Sequence, residues 1–118
     1  MSVATTIVIA IVALLHVYFL VLEMFLWTRP AGRRVFGLSP ELAQQTKALA
    51  ANQGLYNGFL AAGLIWGLSL GTAGFGIKTF FLACVLVAGI FGGLTAIRKI
   101  LWVQALPALI ALFLLHWR

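Results

Sequence analysis

Residues 51–58 read ANQGLYNG, and they place three side-chain amides and a phenol at the head of a run that is otherwise apolar. If residues 44–70 form a helix, these polar side chains share one arc about 140° wide. They are Asn52, Gln53, Tyr56 and Asn57. Gly54 and Gly58 lie beside the arc. The pattern predicts a helix with one flank on a wet or ligand-filled space and a small flank packed on a neighbouring helix.

Composition around this segment predicts an integral membrane protein. Of the 118 residues, 64% are hydrophobic and 8% charged, and the mean hydropathy is +1.12. A spanning helix needs about 20 mostly apolar residues. The chain offers four such runs, at residues 3–27, 50–70, 77–97 and 100–117. We therefore expect a single all-α domain over residues 1–118, a bundle of four transmembrane helices with a cytoplasmic extension of the second helix.

The basic residues predict one orientation in the cell inner membrane. Six fall on one side of the four runs, namely Arg29, Arg33, Arg34, Lys47, Arg98 and Lys99, and two on the other, Lys78 and Arg118. By the positive-inside rule both termini face outward and residues 28–49 are cytoplasmic. Clustering between apolar runs is typical of topology signals, so we expect no nucleic-acid partner. We also expect the first run to be kept, because residues 1–6 lack the basic start of a signal peptide.

The connecting segments carry ordinary start and stop signals. Residues 28–38 contain turn formers and predict a loop, and Ser39, Pro40 and Glu41 then begin a helix. That helix either continues into the second span or bends near residue 50 and lies on the surface. Residues 71–76 predict a flexible connector, and Pro107 predicts a kink in the fourth span.

Small residues predict two close-packing faces. Ala88, Gly92 and Ala96 recur at four-residue spacing in the third span, with Gly89 and Gly93 alongside them. Gly54 and Gly58 fit either an internal contact or the seam of a homo-oligomer. Cys84 is alone, so an intrachain disulfide is impossible and a buried apolar role is expected.

Polar groups of three spans fall at similar depths in the cytoplasmic half. Glu23, Gln53, Asn57 and Gln104 reach one level when depth is counted at about 1.5 Å per residue. His16 lies two turns deeper than Glu23 on the same stripe, which faces inward while Tyr18 points away. Glu23 is the only acid within the four runs, so we expect it to be protonated or held by a partner such as Arg29, Arg33, Lys99 or His16.

These residues predict a binding site and no metal centre. The candidate ligand-binding residues are Glu23, His16, Asn52, Gln53, Tyr56, Asn57 and Gln104, with Arg33, Arg34 and Lys47 at the rim. The spacing of His16 and Glu23 suits no metal site, and motifs of hydrolytic enzymes are missing from the sequence. An alternative explanation of the amides, Asn52, Gln53, Asn57 and Gln104, is that they form hydrogen bonds between helices.

The segment PELA at residues 40–43, followed by LAANQGLYNGFL at residues 49–60, resembles a family of small, mostly bacterial four-span membrane proteins of unknown function. The end of the first span, EMFLW at residues 23–27, extends the resemblance over nearly the whole chain. It implies a four-helix bundle and no particular activity.

The chain also resembles the membrane-associated proteins of eicosanoid and glutathione metabolism. That resemblance implies glutathione as a cofactor, with Asn52 and Tyr56 at comparable places, although Leu55 stands where that family usually has an acid. The small multidrug exporters are similar in length and in having one acid in the first span, which implies proton-coupled export through Glu23.

From the residues we expect a protein that binds an amphipathic small molecule or a lipid in a polar pocket open to the cytoplasmic leaflet. A glutathione-transferase-like enzyme, a proton-coupled exporter and a structural partner subunit remain as alternatives. The sequence does not decide whether a reaction is catalysed.

Overall fold

Helices make up nearly all of the computed structural model, which describes residues 2–117. Within that range the elements are α1 (Val3–Met24), α2 (Pro30–Phe36), α3 (Pro40–Gln45), α4 (Lys47–Ser69), a 3-10 turn (Gly71–Gly74), α5 (Phe75–Thr95), a π-helical turn (Leu101–Ala105) and α6 (Leu106–His116). The all-α prediction is confirmed. Met1 and Arg118, which the predicted domain and the charge count included, lie outside the described residues.

The described residues form two compact units. One contains the residues up to Leu14 together with those from Leu60 onward, and we call it the core unit. The other is Leu15–Phe59, and we call it the polar unit. Helices α1 and α4 each contribute residues to both.

The core unit is packed from apolar side chains of α1, α4, α5 and α6. Its fully enclosed members are Ile9, Val12, Ala13, Leu64, Leu82, Val85, Ala108 and Ala111. Three of these eight are alanines, and Gly89 approaches the backbone of Ala105 so closely that a Cβ at position 89 would lie 2.6 Å from its nitrogen. Small residues allow helix backbones to approach, which increases the dispersion contacts between the helices.

Of the two neighbouring rows in the predicted close-packing face of α5, only one is buried. Gly89 and Gly93 are the buried positions, packed against Ala105 and Leu101. Ala88 and Ala96 are exposed. The two rows are neighbours on the helix surface, and the position of the following segment decides which row is covered.

In the polar unit, residues 28–38 are not the predicted loop, because α2 occupies most of them. Pro30 stands in its first turn and Gly37 ends it in the left-handed region, at φ 64°. Both residues are preferred at these helix positions. Inside α2, Gly32 packs on the main chain of Leu26 in a space that leaves no room for a Cβ.

The helix that begins at Pro40 neither continues into α4 nor bends near residue 50, but stops at Thr46. Ser39 caps α3 as predicted, since its side chain accepts a hydrogen bond from the backbone nitrogen of Leu42. The hydroxyl of Thr46 donates to the carbonyl of Leu42 at 2.7 Å and accepts from the indole of Trp27 at 3.0 Å. Side-chain bonding of this kind competes with the regular helix, so α4 starts anew at Lys47.

The connector and the fourth predicted span also depart from simple expectation. Residues 71–76 are ordered as the 3-10 turn and the beginning of α5, where a flexible connector was predicted. Residues 101–105 form the π-helical turn just before Pro107, and the amide of Leu106 bonds to the carbonyl of Leu101. The kink predicted at Pro107 stays a prediction, and what the structure shows is a π-helical turn that ends two residues before the proline.

Among residues 2–117, two helical segments are long and apolar enough to cross a membrane, namely Val3–Met24 and Gly71–Thr95. The apolar helix Leu101–His116 is shorter. Length and composition thus suggest membrane association through two helices, which is a coarser result than the four spans predicted.

Candidate functional site

A side-chain hydrogen bond joins two of the predicted site residues, one on α1 and one on α4, within the polar unit. The side-chain amide nitrogen of Asn57 donates a hydrogen bond to Oε1 of Glu23 at 2.5 Å. Asn57 is only 7% exposed, while Glu23 is half-buried. The sequence predicted that Glu23 would be either protonated or held by a partner such as a basic side chain, and the partner in the structure is the amide of Asn57.

Glycines bring α1 and α4 close enough for this bond to form. A Cβ at Gly54 would lie 2.6 Å from Cγ of Met24 and 3.1 Å from Cβ of Glu23. One turn later, a Cβ at Gly58 would lie 2.7 Å from Cδ1 of Leu20. Of the two roles left open for Gly54 and Gly58, the structure therefore shows an internal contact.

The inward stripe of α1 is confirmed by the burial of its members. His16 is completely buried, and its ring meets Phe19 edge to face at a centroid distance of 5.4 Å. Leu20 is half-buried, whereas Tyr18 is exposed. His16 lies seven residues before Glu23, so about 10 Å of helix separates the imidazole and the carboxylate along the helix axis.

The structure divides the polar segment ANQGLYNG into two sets. Asn57 belongs with the glycines on the side that faces α1. Asn52, Gln53 and Tyr56 are exposed, Tyr56 by 51%. The predicted shared arc therefore separates into one buried member and three surface members.

The remaining predicted residues are distributed over both units. Gln104 is half-buried in the π-helical turn of the core unit, so its predicted meeting with Glu23 and Asn57 stays a prediction. Of the rim residues, Arg34 and Lys47 are exposed. Arg33 is half-buried, and its Nε has no hydrogen-bond partner among the described residues.

Sequence reasoning missed the placement of Lys78. We counted it among the charges on the outer side of the four runs, but it is completely buried near the start of α5, and its Nζ donates to the carbonyl of Gly71 at 2.6 Å. A cavity of about 550 Å³ lies beside it within the core unit. The available signal was the position of Lys78 between Ile77 and Thr79 in an apolar run, which suits a buried cation as well as an interfacial one.

Comparison with known proteins assigns the chain to a family. Residues 10–116 match the model of the family described as "Protein of unknown function (DUF1304)". The chain belongs to this family. It is also 32% identical over 114 residues to the "Uncharacterized protein YpaA" of Lactococcus lactis subsp. lactis (strain IL1403), an alignment that covers 95% of this chain and 96% of that protein. No solved structure matches the chain. The expected family of unknown function is thereby confirmed.

Proposed function

We propose that this member of the DUF1304 family is a small inner-membrane protein that binds an amphipathic molecule, most simply a lipid headgroup bearing a hydrogen-bond donor, beside the Glu23–Asn57 pair. The observation that carries the proposal is the hydrogen bond from the buried Asn57 to the half-buried Glu23. A carboxylate can accept about four hydrogen bonds. Asn57 orients this one and leaves capacity for a ligand.

The membrane part of the proposal is supported by the surface of the helices. Large apolar side chains are exposed along the candidate spans, among them Val3 at 76% and Leu94 at 75%. Soluble proteins rarely expose contiguous apolar patches of this kind. We propose that α4 and the segment ending in α6 complete four passes, and that residues 28–49 face the cytoplasm with their basic side chains.

The chemistry of the ligand follows from the groups that the polar unit exposes. Asn52, Gln53 and Tyr56 provide donors and acceptors on the surface of α4. Lys47 and Arg34, also exposed, attract anionic groups at the rim. A headgroup with an ammonium or hydroxyl donor next to a phosphate suits this combination, because the carboxylate of Glu23 binds the donor and the basic side chains attract the phosphate.

The test compares two lipids that differ in donor capacity. Phosphatidylethanolamine carries an ammonium with three N–H bonds, and phosphatidylcholine carries a methylated nitrogen with none. We expect native mass spectrometry of the purified protein to show stronger phosphatidylethanolamine adducts. Replacing Glu23 by Gln keeps the size and a hydrogen bond to Asn57, and it should weaken phosphatidylethanolamine binding about tenfold, as expected for loss of one charged hydrogen bond.

A matched control separates the site from a general charge effect. Glu41 is the chain's other acid and is exposed in the first turn of α3, so Glu41→Gln should leave both lipids bound as in the unmodified protein. Equal loss in both variants, or no preference between the lipids, would refute the proposal. Glutathione binding that weakens on Asn52→Ala would favour the transferase alternative, and proton-coupled cation flux in liposomes that depends on Glu23 would favour the exporter.

A further inference from the structure

Helix α4 carries a stripe of exposed side chains within the polar unit, which we call the α4 seam. Its members are Leu49, Asn52, Tyr56 and Phe59. Leu49 is 74% exposed and Phe59 is 55% exposed. By helical position the seam lies on the side of α4 opposite Gly54 and Gly58, which pack against α1. Packing on α1 therefore uses one side of α4 and leaves the seam at the surface.

The spacing of the α4 seam is that of a contact between two helices. Its members follow one another at intervals of three, four and three residues, which is the pattern by which two helices pack along a shared line. Asn52 occupies one of the inward positions of this pattern. A single asparagine at such a position specifies the register and the number of helices, because its amide requires a partner.

The polar groups of the seam need hydrogen-bond partners if α4 crosses the membrane, and on this point the inference rests on the proposed function. Helix α4 has 23 residues and is therefore about 34 Å long, against about 30 Å for a hydrocarbon core. Asn52 then lies about 8 Å and Tyr56 about 14 Å from its first residue. Among residues 2–117 neither side chain has a hydrogen-bond partner. An unpaired amide or phenol facing hydrocarbon is unfavourable, so we expect another surface to cover the seam.

A second copy of this chain suits the seam chemically. An amide contains both donors and an acceptor, so the asparagines of two copies can bond to each other, and a phenol also both donates and accepts. The rings of Tyr56 and Phe59 lie 5.9 Å apart between centroids and offer aromatic surface beside the amide. Lys47 is the one charged residue of α4, and it lies about 160° around the helix from the seam. Two copies that meet at the seam therefore bring no like charges of α4 together.

The orientation of the copies follows from their shared topology. Copies inserted by the same charge bias have the same orientation in the membrane. A parallel pair with two-fold symmetry places each seam residue opposite its own counterpart. We propose that the protein forms a homodimer in which the α4 seams of two copies pack on each other, with Asn52 hydrogen-bonded to Asn52 of the second copy. Asn57 lies about 120° from the seam, so the Glu23–Asn57 pair stays outside this interface.

Native mass spectrometry over a range of protein concentrations in detergent measures the dimer dissociation constant. Asn52→Ala should raise this constant about tenfold, since hydrogen bonds from both copies are lost. Gln45→Ala is the matched control, because it removes an exposed amide of α3 that lies outside the seam. It should leave the dissociation constant unchanged.

Disulfide cross-linking in a bilayer tests the geometry of the interface and decides the matter if Asn52→Ala fails to fold. Cys84 is the chain's one cysteine, and it lies in an apolar groove on α5 lined by Phe80 and Phe91. Oxidation of the unmodified protein therefore reports whether copies meet at α5. In a Cys84→Ser background, Asn52→Cys should give a disulfide-linked dimer on mild oxidation and Gln45→Cys should not.

A dimer that is linked through position 52 and weakened by Asn52→Ala supports the proposal. A monomer at all concentrations, a dimer that Asn52→Ala leaves unchanged, or linkage through Cys84 and not through position 52 would overturn it. Glu23→Gln distinguishes this proposal from the ligand site proposed above. It should weaken phosphatidylethanolamine binding and leave the dimer dissociation constant unchanged, because Glu23 belongs to α1 and lies outside the seam.

Discussion

Replacing Gly89 by alanine should force α5 away from the π-helical turn. The new Cβ would lie 2.6 Å from the nitrogen, 2.8 Å from Cα and 2.9 Å from Cβ of Ala105. Ordinary contact begins at 3.4 Å, so the two segments must separate by about 0.8 Å. Two of these three atoms are backbone, and none is the movable end of a side chain.

The expected magnitude is the balance of two opposing effects. Alanine is favoured over glycine inside a helix by about 1 kcal/mol. Overpacking of a tight contact costs typically about 1–3 kcal/mol, and a contact with backbone falls at the upper end. We therefore expect Gly89→Ala to lower the free energy of unfolding by about 1–2 kcal/mol.

Two other glycines of α5 provide matched controls. A Cβ at Gly76 would meet no atom within 4 Å, and one at Gly92 would meet only the side chain of Ile100, at 3.4 Å. Gly76→Ala should raise the stability slightly through helix propensity, and Gly92→Ala should change it little. The three variants differ in contact and share the same chemical change.

Thermal unfolding in one detergent, followed by circular dichroism, ranks the three variants by their Tm. A change of 1 kcal/mol shifts Tm by roughly 4 °C in a chain of this length. Gly89→Ala should therefore unfold about 4–8 °C below the unmodified protein. The reasoning is refuted if Gly89→Ala unfolds at or above the temperature of Gly76→Ala.

Two further predictions concern the polar unit. Thr46→Val removes the acceptor for the indole of Trp27, so it should lower the free energy of unfolding by about 1 kcal/mol and alter the near-ultraviolet circular dichroism signal. In the control Thr95→Val, the lost hydroxyl bonds only to the preceding turn of its own helix, so Tm should change by less. Equal Tm shifts in the two variants would contradict a stabilising role for the Trp27–Thr46 hydrogen bond. Gly37→Ala should cost about 1 kcal/mol by backbone strain alone, since φ is 64° and the surrounding space is open; unchanged thermal unfolding would show that the turn relaxes.

Features set by neighbouring residues were predictable from the sequence. The apolar runs indicated helices, and the spacing of His16, Leu20 and Glu23 indicated a buried stripe with Tyr18 outside it. Each of these depends on interactions within about five residues along the chain, so local geometry is sufficient.

Which of two adjacent rows on a helix is buried could be decided only from the tertiary structure. Asn57 is buried against α1 while Asn52, Gln53 and Tyr56 are exposed, and Gly89 is covered while Ala88 is not. Neighbouring rows present similar residues, and a rotation of the partner helix decides which row it covers. Sequence alone therefore located the polar segment but not the amide that holds Glu23.

Lys78 shows most clearly the difference between what the sequence predicts and what the tertiary structure decides. The sequence by itself determined an all-helical chain with basic residues between apolar runs, because composition and helical period are local properties. Only the tertiary structure decided that Lys78 is buried, since Gly67 and Gly71 accommodate its stem and its charge. A lysine at the end of an apolar run is compatible with solvent or with a cavity, and the packing of α4 on α5 determines which it meets.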